Sequence, residues 1–248
     1  MGDNEQMVTS FSDGSQVVSR VGGHPYEFYG LQADGVYSTQ AEAEQAGLLN
    51  SNRQAYQAGD VRFVDQNGDG IINSHDYVSL GSATPDYFGG FYTHIRYKGF
   101  GISAEFSYSK GNQVYNAVRR QLESVSGFGN QSAAVANRWN LEGQETEIPR
   151  ATYGDPMGNS SFSSRWIEDA SYLRMKNITV SYSFDKPIWN FFRSGTVYVT
   201  GENLWTLTEY LGMDPEFAYS AFSSATQGFD MAKVMQPKSV KLGINLKF

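Results

Sequence analysis

From Pro237 to Phe248 the chain alternates without a break. Val240, Leu242, Ile244, Leu246 and Phe248 share one parity, and Ser239, Lys241, Gly243, Asn245 and Lys247 share the other. Successive side chains of a strand point to opposite faces, so this spacing predicts a strand with one apolar and one polar face. The alternation is sustained for about ten residues, the length that crosses a bilayer when tilted.

The same pattern recurs upstream. Phe91, Thr93, Ile95 and Tyr97 alternate with Tyr92, His94, Arg96 and Lys98, and Ile102, Ala104, Phe106 and Tyr108 alternate with Ser103, Glu105, Ser107 and Ser109. With Gly99-Phe100 as a two-residue type II′ turn, Tyr97 faces Ile102, Ile95 faces Ala104, Thr93 faces Phe106 and Phe91 faces Tyr108. His94 then meets Glu105 as a cross-strand polar pair rather than a catalytic base beside its carboxylate. Ser171 to Phe184 sets Ile178, Val180, Tyr182 and Phe184 against Thr179, Ser181 and Ser183. Arg174 and Lys176 fall on the apolar parity, so either that end leaves the membrane or a bulge shifts the register. Gly195 to Leu204 predicts another strand with Val197 and Val199 outward, and Gln16 to Val21 a short one.

Between these stretches the periodicity lapses. Ser38 to Gly47 predicts one short surface helix, capped by Ser38 or Thr39 and stopped by Gly47, with Glu42 and Glu44 early and polar residues almost all round. Lys110 to Ala170 and Trp205 to Gln236 are long and irregular, whereas Asp185 to Ser194 is a ten-residue connection. Loops as long as the first two are usually functional or disordered, and their aromatics favour function.

The sharpest local motif is DQNGDGIINSHD, Asp65 to Asp76. It fits a twelve-residue calcium loop, with Asp65, Asn67 and Asp69 at positions 1, 3 and 5 and Gly70 at the sharp turn. Ile71 would offer its carbonyl, Asn73 stands at position 9 and Asp76 at 12. Oxygen ligands at alternate residues suit a hard cation because a turning chain points them inward. Asp is a shorter arm at the last position than the usual Glu, and the flank VRFV is strand-like rather than helical. The same residues serve equally well in a turn where Asn and Asp bond their own backbone.

Composition narrows the class. The 248 residues include 16 Tyr, 16 Phe and 26 Gly but no Cys, and only 18% are charged. Aromatics with many glycine turns point to β structure. Without Cys there are no disulfides, thiolate metal sites or Cys nucleophiles. A net charge of -7 with no Lys/Arg run argues against a nucleic-acid surface. No run approaches 18 apolar residues, yet a mean hydropathy of -0.45 is compatible with barrel strands, which are only half apolar. The start lacks the basic, apolar and small-residue sections of a signal peptide.

From Phe88 onward the strand connections alternate short, long, short, long. Transmembrane barrels have this asymmetry, with short periplasmic turns and longer extracellular loops. If Phe248 ends in the periplasm, both long loops and the Asp65 loop are extracellular. Five or six strands cannot close a barrel, which needs about eight, and an open edge in lipid leaves backbone groups unpaired. The fold class expected is therefore all-β, an antiparallel transmembrane β-barrel of which residues 1–248 form the C-terminal portion. A strand ending on a terminal Phe fits how outer-membrane barrel proteins commonly close.

Four stretches in order, GDVRFVDQNGDGIINSHDYVSLGSATPDYFGGF, RWIEDASYLRMKNITVSYSF, GENLWTLTEYLGMDPE and the strand ending in Phe248, resemble the C-terminal third or quarter of SusC/RagA-type TonB-dependent outer-membrane transporters. The resemblance covers essentially the whole chain. It implies a barrel of roughly 22 strands around an N-terminal plug, a SusD-like surface lipoprotein as lid, a TonB complex supplying energy, and a glycan or peptide nutrient. Plug, TonB box and signal peptide are absent from these residues.

Two other classes compete. A secreted calcium-stabilised β module binding carbohydrate explains the Asp65 loop and the aromatics but not the loop asymmetry. A glycoside hydrolase needs paired carboxylates; Glu142, Glu145 and Glu147 are clustered in one loop, where a solvated charged segment is the simpler account. His24, His75 and His94 share no ligand spacing. Trp139, Trp166, Trp205, Phe217 and Tyr219 are the candidates for stacking on a nutrient, with girdle or loop packing as their other role.

Overall fold

A computed structural model describes residues 6–185, 193–216 and 223–247. The strands in chain order are β1 (Gln6–Ser10), β2 (Gln16–Arg20), β3 (Glu27–Gly30), β4 (Ala33–Val36), β5 (Leu49–Asn50), β6 (Val61–Phe63), β7 (Ile71–Ile72) and β8 (Val78–Ser82). They continue as β9 (Tyr87–Tyr97), β10 (Phe100–Lys110), β11 (Gln113–Asn116), β12 (Ile167–Asp169), β13 (Tyr172–Phe184), β14 (Ser194–Thr208), β15 (Phe229–Asp230) and β16 (Ser239–Lys247). Two short helices, α1 (Gln40–Ala46) and α2 (Ala117–Glu123), complete the set. Among the described residues no helix is long and apolar enough to cross a membrane. The chain divides into two compact units: residues 1–84, 113–168 and 217–233 make one, and residues 85–112, 169–216 and 234–248 the other.

The second unit is one antiparallel sheet of five strands in the order β16-β14-β13-β10-β9. Its strands run 9 to 15 residues, long enough to span a bilayer when tilted. The apolar parity forms continuous rows, such as Ile95–Ile102 and Val180–Val199–Leu242. These side chains are open rather than packed: Ile95 is 65% exposed, Val180 48% and Leu242 74%. Phe91 stacks on Phe106 with ring centroids 4.7 Å apart, and Phe100 meets Tyr182 at 4.7 Å. The opposite face is polar and cross-linked. Thr179 and Thr200 share a hydroxyl bond of 2.7 Å, Ser183 and Thr196 one of 2.9 Å, and Asn177 donates to Glu105 at 2.6 Å. A sheet with one bare apolar face and one wet face suits a wall between lipid and water.

Two registers depart from the spacing. The β9–β10 turn is Lys98-Gly99, with φ of 44° and 88°, so both central residues are left-handed as in a type I′ turn. Tyr97 therefore faces Phe100, Ile95 faces Ile102 and Phe91 faces Phe106, while His94 meets Ser103 and Glu105 meets Tyr92. The expected II′ turn at Gly99-Phe100, with its His94–Glu105 pair, is corrected by one residue. Both primed turns match the strand twist, and the one-residue move leaves the apolar sets on one face.

The second departure is a bulge. Between Met175 and Asn177 the register of β13 shifts against both β10 and β14. The extra residue, Lys176, flips the parity beyond it, so Met175 and Leu173 join the apolar rows opposite Trp205 and Leu207. Arg174, which spacing alone assigns to the apolar parity, turns to the other face, as the bulge expectation has it. β16 pairs with β14 along its length, from Ser239 opposite Glu202 to Lys247 opposite Ser194. The terminal Phe248 lies outside the described residues.

The first unit holds small sheets, β1-β2-β3-β8, β12-β11-β15, β4-β6 and β5-β7. One apolar cluster gathers Leu31, Tyr37, Tyr56, Val61, Phe63 and Ile72 beside the Asp65 loop; another gathers Val17, Phe28, Tyr115, Phe162, Trp166 and Phe229. α1 follows its signals. Thr39 is the N-cap, accepting from the Glu42 N–H at 3.2 Å, Glu42 returns to the Ser38 N–H at 2.9 Å, and Gly47 ends the helix at φ 64°. Only Ala43 is buried. Within the stretch read as irregular the chain forms β11 and α2, the latter capped by the Asn116 side chain accepting from the Arg119 N–H at 2.9 Å.

Candidate functional site

The Asp65 loop joins β6 to β7. Asp65 accepts the N–H groups of Gly68 and Gly70, each at 2.8 Å, which bends the chain through two glycines of positive φ. Asn67 accepts from Asp69 at 2.9 Å, and Asp69 from Ile71 at 2.8 Å. Asn73 donates its amide to the Ile71 carbonyl at 3.0 Å. Asp76, fully buried, closes the loop by accepting from Gln66 at 3.0 Å and from Asn73 at 2.8 Å. The Gly70 N–H, foremost among several hydrogen bonds, holds the Asp65 carboxyl below the usual carboxylate range despite partial desolvation.

The turn reading is thus realised in full, and it leaves each carboxylate oxygen a lone pair to offer. Among the described residues no group of three or more His, Cys, Asp or Glu gathers as a metal site. The oxygen set a cation here would use comprises the Asp65, Asp69 and Asp76 carboxylates, the Asn67 and Asn73 amide oxygens and the Ile71 carbonyl.

The aromatic candidates separate. Trp139 donates Nε1–H to the Ser38 carbonyl at 3.0 Å, and its ring lies against Gly59, where a Cβ would meet Cε3 at 2.5 Å. Trp166 is fully buried, donates to the Ser161 carbonyl at 3.0 Å and carries the Arg165 guanidinium 4.4 Å from its ring centroid. It is corrected from nutrient contact to core, because no face of the ring is open. Desolvation there lowers the Arg165 pKa to about 10. Trp205 stands on the apolar face of the sheet opposite Met175, 43% exposed, in a girdle position. Phe217 and Tyr219 lie outside the described residues. Glu142, Glu145 and Glu147 are all exposed, and Glu142 accepts the Gln40 N–H at 2.7 Å.

Two charge clusters carry no signal in the sequence spacing. Asp60, fully buried, takes a forked pair from Arg150 at 2.8 and 3.0 Å, the Asn159 amide at 3.0 Å and the Gln57 N–H at 3.0 Å. Arg150 and Asn159 lie 90 and 99 residues downstream. In the sheet unit, Arg174 pairs with Asp214, with Glu216 at 3.0 Å and with the Thr206 hydroxyl at 3.1 Å; Lys176 reaches Glu216 at 2.6 Å. Asp214 also accepts the N–H groups of Glu216 at 2.9 Å and Gln236 at 3.3 Å. Burial alone would raise its pKa, but the Arg174 guanidinium and these N–H groups outweigh it and leave the carboxyl below its ordinary value. Arg174 thereby holds Asp214, whose carboxylate ties the start of the connection between β14 and β16 to its end at Gln236.

No family model matches the chain. It is 33% identical over 226 residues to TonB-dependent receptor P26 of Formosa agariphila, covering 89% of this chain and 22% of that protein. It is 26% identical over 249 residues to TonB-dependent receptor SusC of Bacteroides thetaiotaomicron, covering 94% of this chain and 23% of that one. A solved structure of the RagAB peptide importer in an open-open state superposes with a TM-score of 0.73 at 23% identity, over 100% of this chain and 24% of its own. A closed-closed RagAB structure gives a TM-score of 0.70 at 22% identity, over 99% of this chain. The chain spans between a fifth and a quarter of the length of these proteins. Its bare-faced antiparallel sheet, its interleaved loop unit and these likenesses together identify the chain as a SusC/RagA-like segment of a TonB-dependent receptor.

Proposed function

We propose that this segment forms part of the wall and extracellular face of an outer-membrane nutrient importer. The observation that carries the reading is the five-stranded sheet with continuous apolar rows open on one face and hydroxyl ladders on the other. Burying such rows in water would require a partner layer, whereas lipid meets them directly. The β9–β10 turn and the connection between β13 and β14 belong to the periplasmic rim. The long connections, which contribute to the loop unit, are extracellular and meet the nutrient and a SusD-like lipoprotein lid. A TonB complex drives the cycle through parts of the receptor beyond these residues, and the nutrient is a glycan oligosaccharide or a peptide. The importer and receptor descriptions of its relatives support transport rather than enzymatic turnover.

The Asp65 loop takes calcium in this reading, because its Asp and Asn side chains and the Ile71 carbonyl stand at alternate positions of one tight turn, the spacing of oxygen ligands for a hard cation.

The test compares the intact receptor with residues 1–248 alone. The intact form should enter outer membranes and migrate as a heat-modifiable barrel, and the fragment should aggregate without detergent. A fragment that is soluble, monomeric and cooperatively folded in plain buffer overturns the proposal in favour of a calcium-stabilised carbohydrate-binding module.

A further inference from the structure

Two aromatic side chains in the long connection between β10 and β13 stand open to solvent. Phe128 is 92% exposed and Tyr153 76%, with ring centroids 4.9 Å apart and planes tilted by 34°. Adjacent open rings are the kind of apolar surface that marks a binding site. The backbone beneath them is fixed. Thr152 donates its N–H to the Val125 carbonyl at 3.1 Å and Gly154 to the Ser126 carbonyl at 2.9 Å, so the segments carrying the two rings are tied together. Val125, at φ 49°, packs with Val135 and Ile148 in a small buried cluster. The rings therefore project from a packed support. Gly127 and Gly129 have no atom within 4 Å of where a Cβ would be, so the flanks of Phe128 are clear.

Both rings line a pocket of about 310 Å³ together with one cation, Arg138. Its guanidinium donates from Nη1 to the Val135 carbonyl at 3.4 Å, and no carboxylate pairs with it among the described residues. Arg119, Arg150 and Arg174 differ in this respect, because each is met by a carboxylate. No acidic residue lines the pocket. Gln131 and Thr152 line it too, and their side chains take no hydrogen-bond partner among the described residues.

A flat apolar platform ringed by a free guanidinium, an amide and a hydroxyl has the chemistry of a site for a charged sugar. Aromatic faces receive the C–H face of a pyranose ring, the amide and hydroxyl take its hydroxyl groups, and a guanidinium forks onto a planar or tetrahedral anion. We propose that this pocket is a subsite for an acidic sugar residue, bearing a carboxylate or a sulfate, within an oligosaccharide nutrient. Its volume lies at the small end of ligand pockets, which suits one ring rather than a long chain. An extended peptide fits less well. It would need open backbone groups to pair with, and the Val125 and Ser126 carbonyls are already taken by Thr152 and Gly154.

The inference rests on the loop unit meeting the nutrient of an importer, so the experiment separates the two. The intact receptor, with any partner that co-purifies, is titrated calorimetrically in detergent against a panel of uronic-acid and sulfated oligosaccharides. Each is paired with its carboxyl-reduced or desulfated counterpart, and acidic peptides form a separate arm. At least one acidic oligosaccharide should bind about tenfold tighter than its neutral counterpart, the worth of one charge-assisted contact. The counterpart that loses affinity tells carboxylate from sulfate. Arg138→Gln should abolish the difference and Arg138→Lys should keep part of it. Tyr153→Ala should weaken acidic and neutral forms alike, and Arg53→Gln, outside the pocket, should change neither. Heat-modifiable migration checks that each variant assembles. No acid preference anywhere in the panel, tighter binding of the peptides, or a preference that survives Arg138→Gln overturns the subsite. So does a Tyr153→Ala variant that sheds a co-purifying partner while its oligosaccharide affinity is unchanged, since the rings would then serve that partner. A receptor that never enters the outer membrane overturns the importer reading itself.

Discussion

Arg174 offers the most direct test of how the long connection between β14 and β16 is held. Its side chain is 5% exposed and that of Asp214 9%, so neither charge is screened by water to any extent. Replacing Arg174 by Met keeps the stem and removes the cation, leaving Asp214 buried with two N–H donors and Glu216 with Lys176 alone. Breaking a buried pair from one side costs about 3–5 kcal/mol. The lower end applies, because the backbone donors remain and Asp214 can take up a proton. About 3 kcal/mol corresponds to roughly a hundredfold change in local opening, at 1.36 kcal/mol per decade.

Hydrogen exchange on the intact receptor reads this at the two amides Asp214 holds, Glu216 and Gln236. Their protection should fall by about two orders of magnitude in Arg174→Met, and adding Asp214→Asn should restore much of it at Glu216, because the unpaired charge is gone while the amide oxygen still accepts that N–H. The pH dependence has a definite sign. Asp214 is held below the ordinary carboxyl value of 3.8, so its contribution is fully present above that value and is lost as pH falls through the lower folded-state pKa. Unchanged protection in Arg174→Met, or a double variant no better than the single, would refute the clamp.

Three further outcomes follow from the geometry. Val199→Arg, in the row between Val180 and Leu242, should lower barrel stability by about 2–4 kcal/mol in denaturant titrations in detergent or lipid, whereas Thr200→Arg on the wet face should cost far less. Gly59→Ala should cost at least about 2 kcal/mol by thermal denaturation, because φ is 83° and the new Cβ would lie 2.5 Å from Trp139 and 2.8 Å from Arg150. Saturating calcium should raise the unfolding midpoint of the intact receptor, by an amount equivalent to about 2.7 kcal/mol at a hundredfold excess over the dissociation constant. Asp65→Asn should remove that rise, and an identical midpoint in chelator and calcium would dismiss the ion.

The sheet was legible because its physics is local. Lipid on one side and water on the other impose a period of two on every strand. The alternations at Phe91, Ile102, Ile178, Val197 and Val240 therefore mark all five wall strands before any coordinates. α1 was legible for a similar reason, since Thr39, Glu42 and Gly47 close its ends through contacts a few residues apart. The Asp65 loop declares its turn, because each Asx side chain bonds a backbone group close by in the chain.

Tertiary structure decided what depends on distant partners. Where the hairpin turns by one residue, and where Lys176 bulges so that Arg174 faces Asp214 instead of lipid, is settled by neighbouring strands, and period alone does not contain it. Trp139 and Trp166 stand between nutrient stacking and packing in the sequence, and Gly59 and the Phe162–Phe229 cluster, which lie against their rings, decide for packing. β11 and α2 form inside a stretch without periodicity because each is short, and β15, far along the chain, supplies β11 with its pairing edge. Asp60 and Arg150 meet across some 90 residues. Burying a charge is tolerable only when its partner arrives, and which partner arrives is a property of the folded chain.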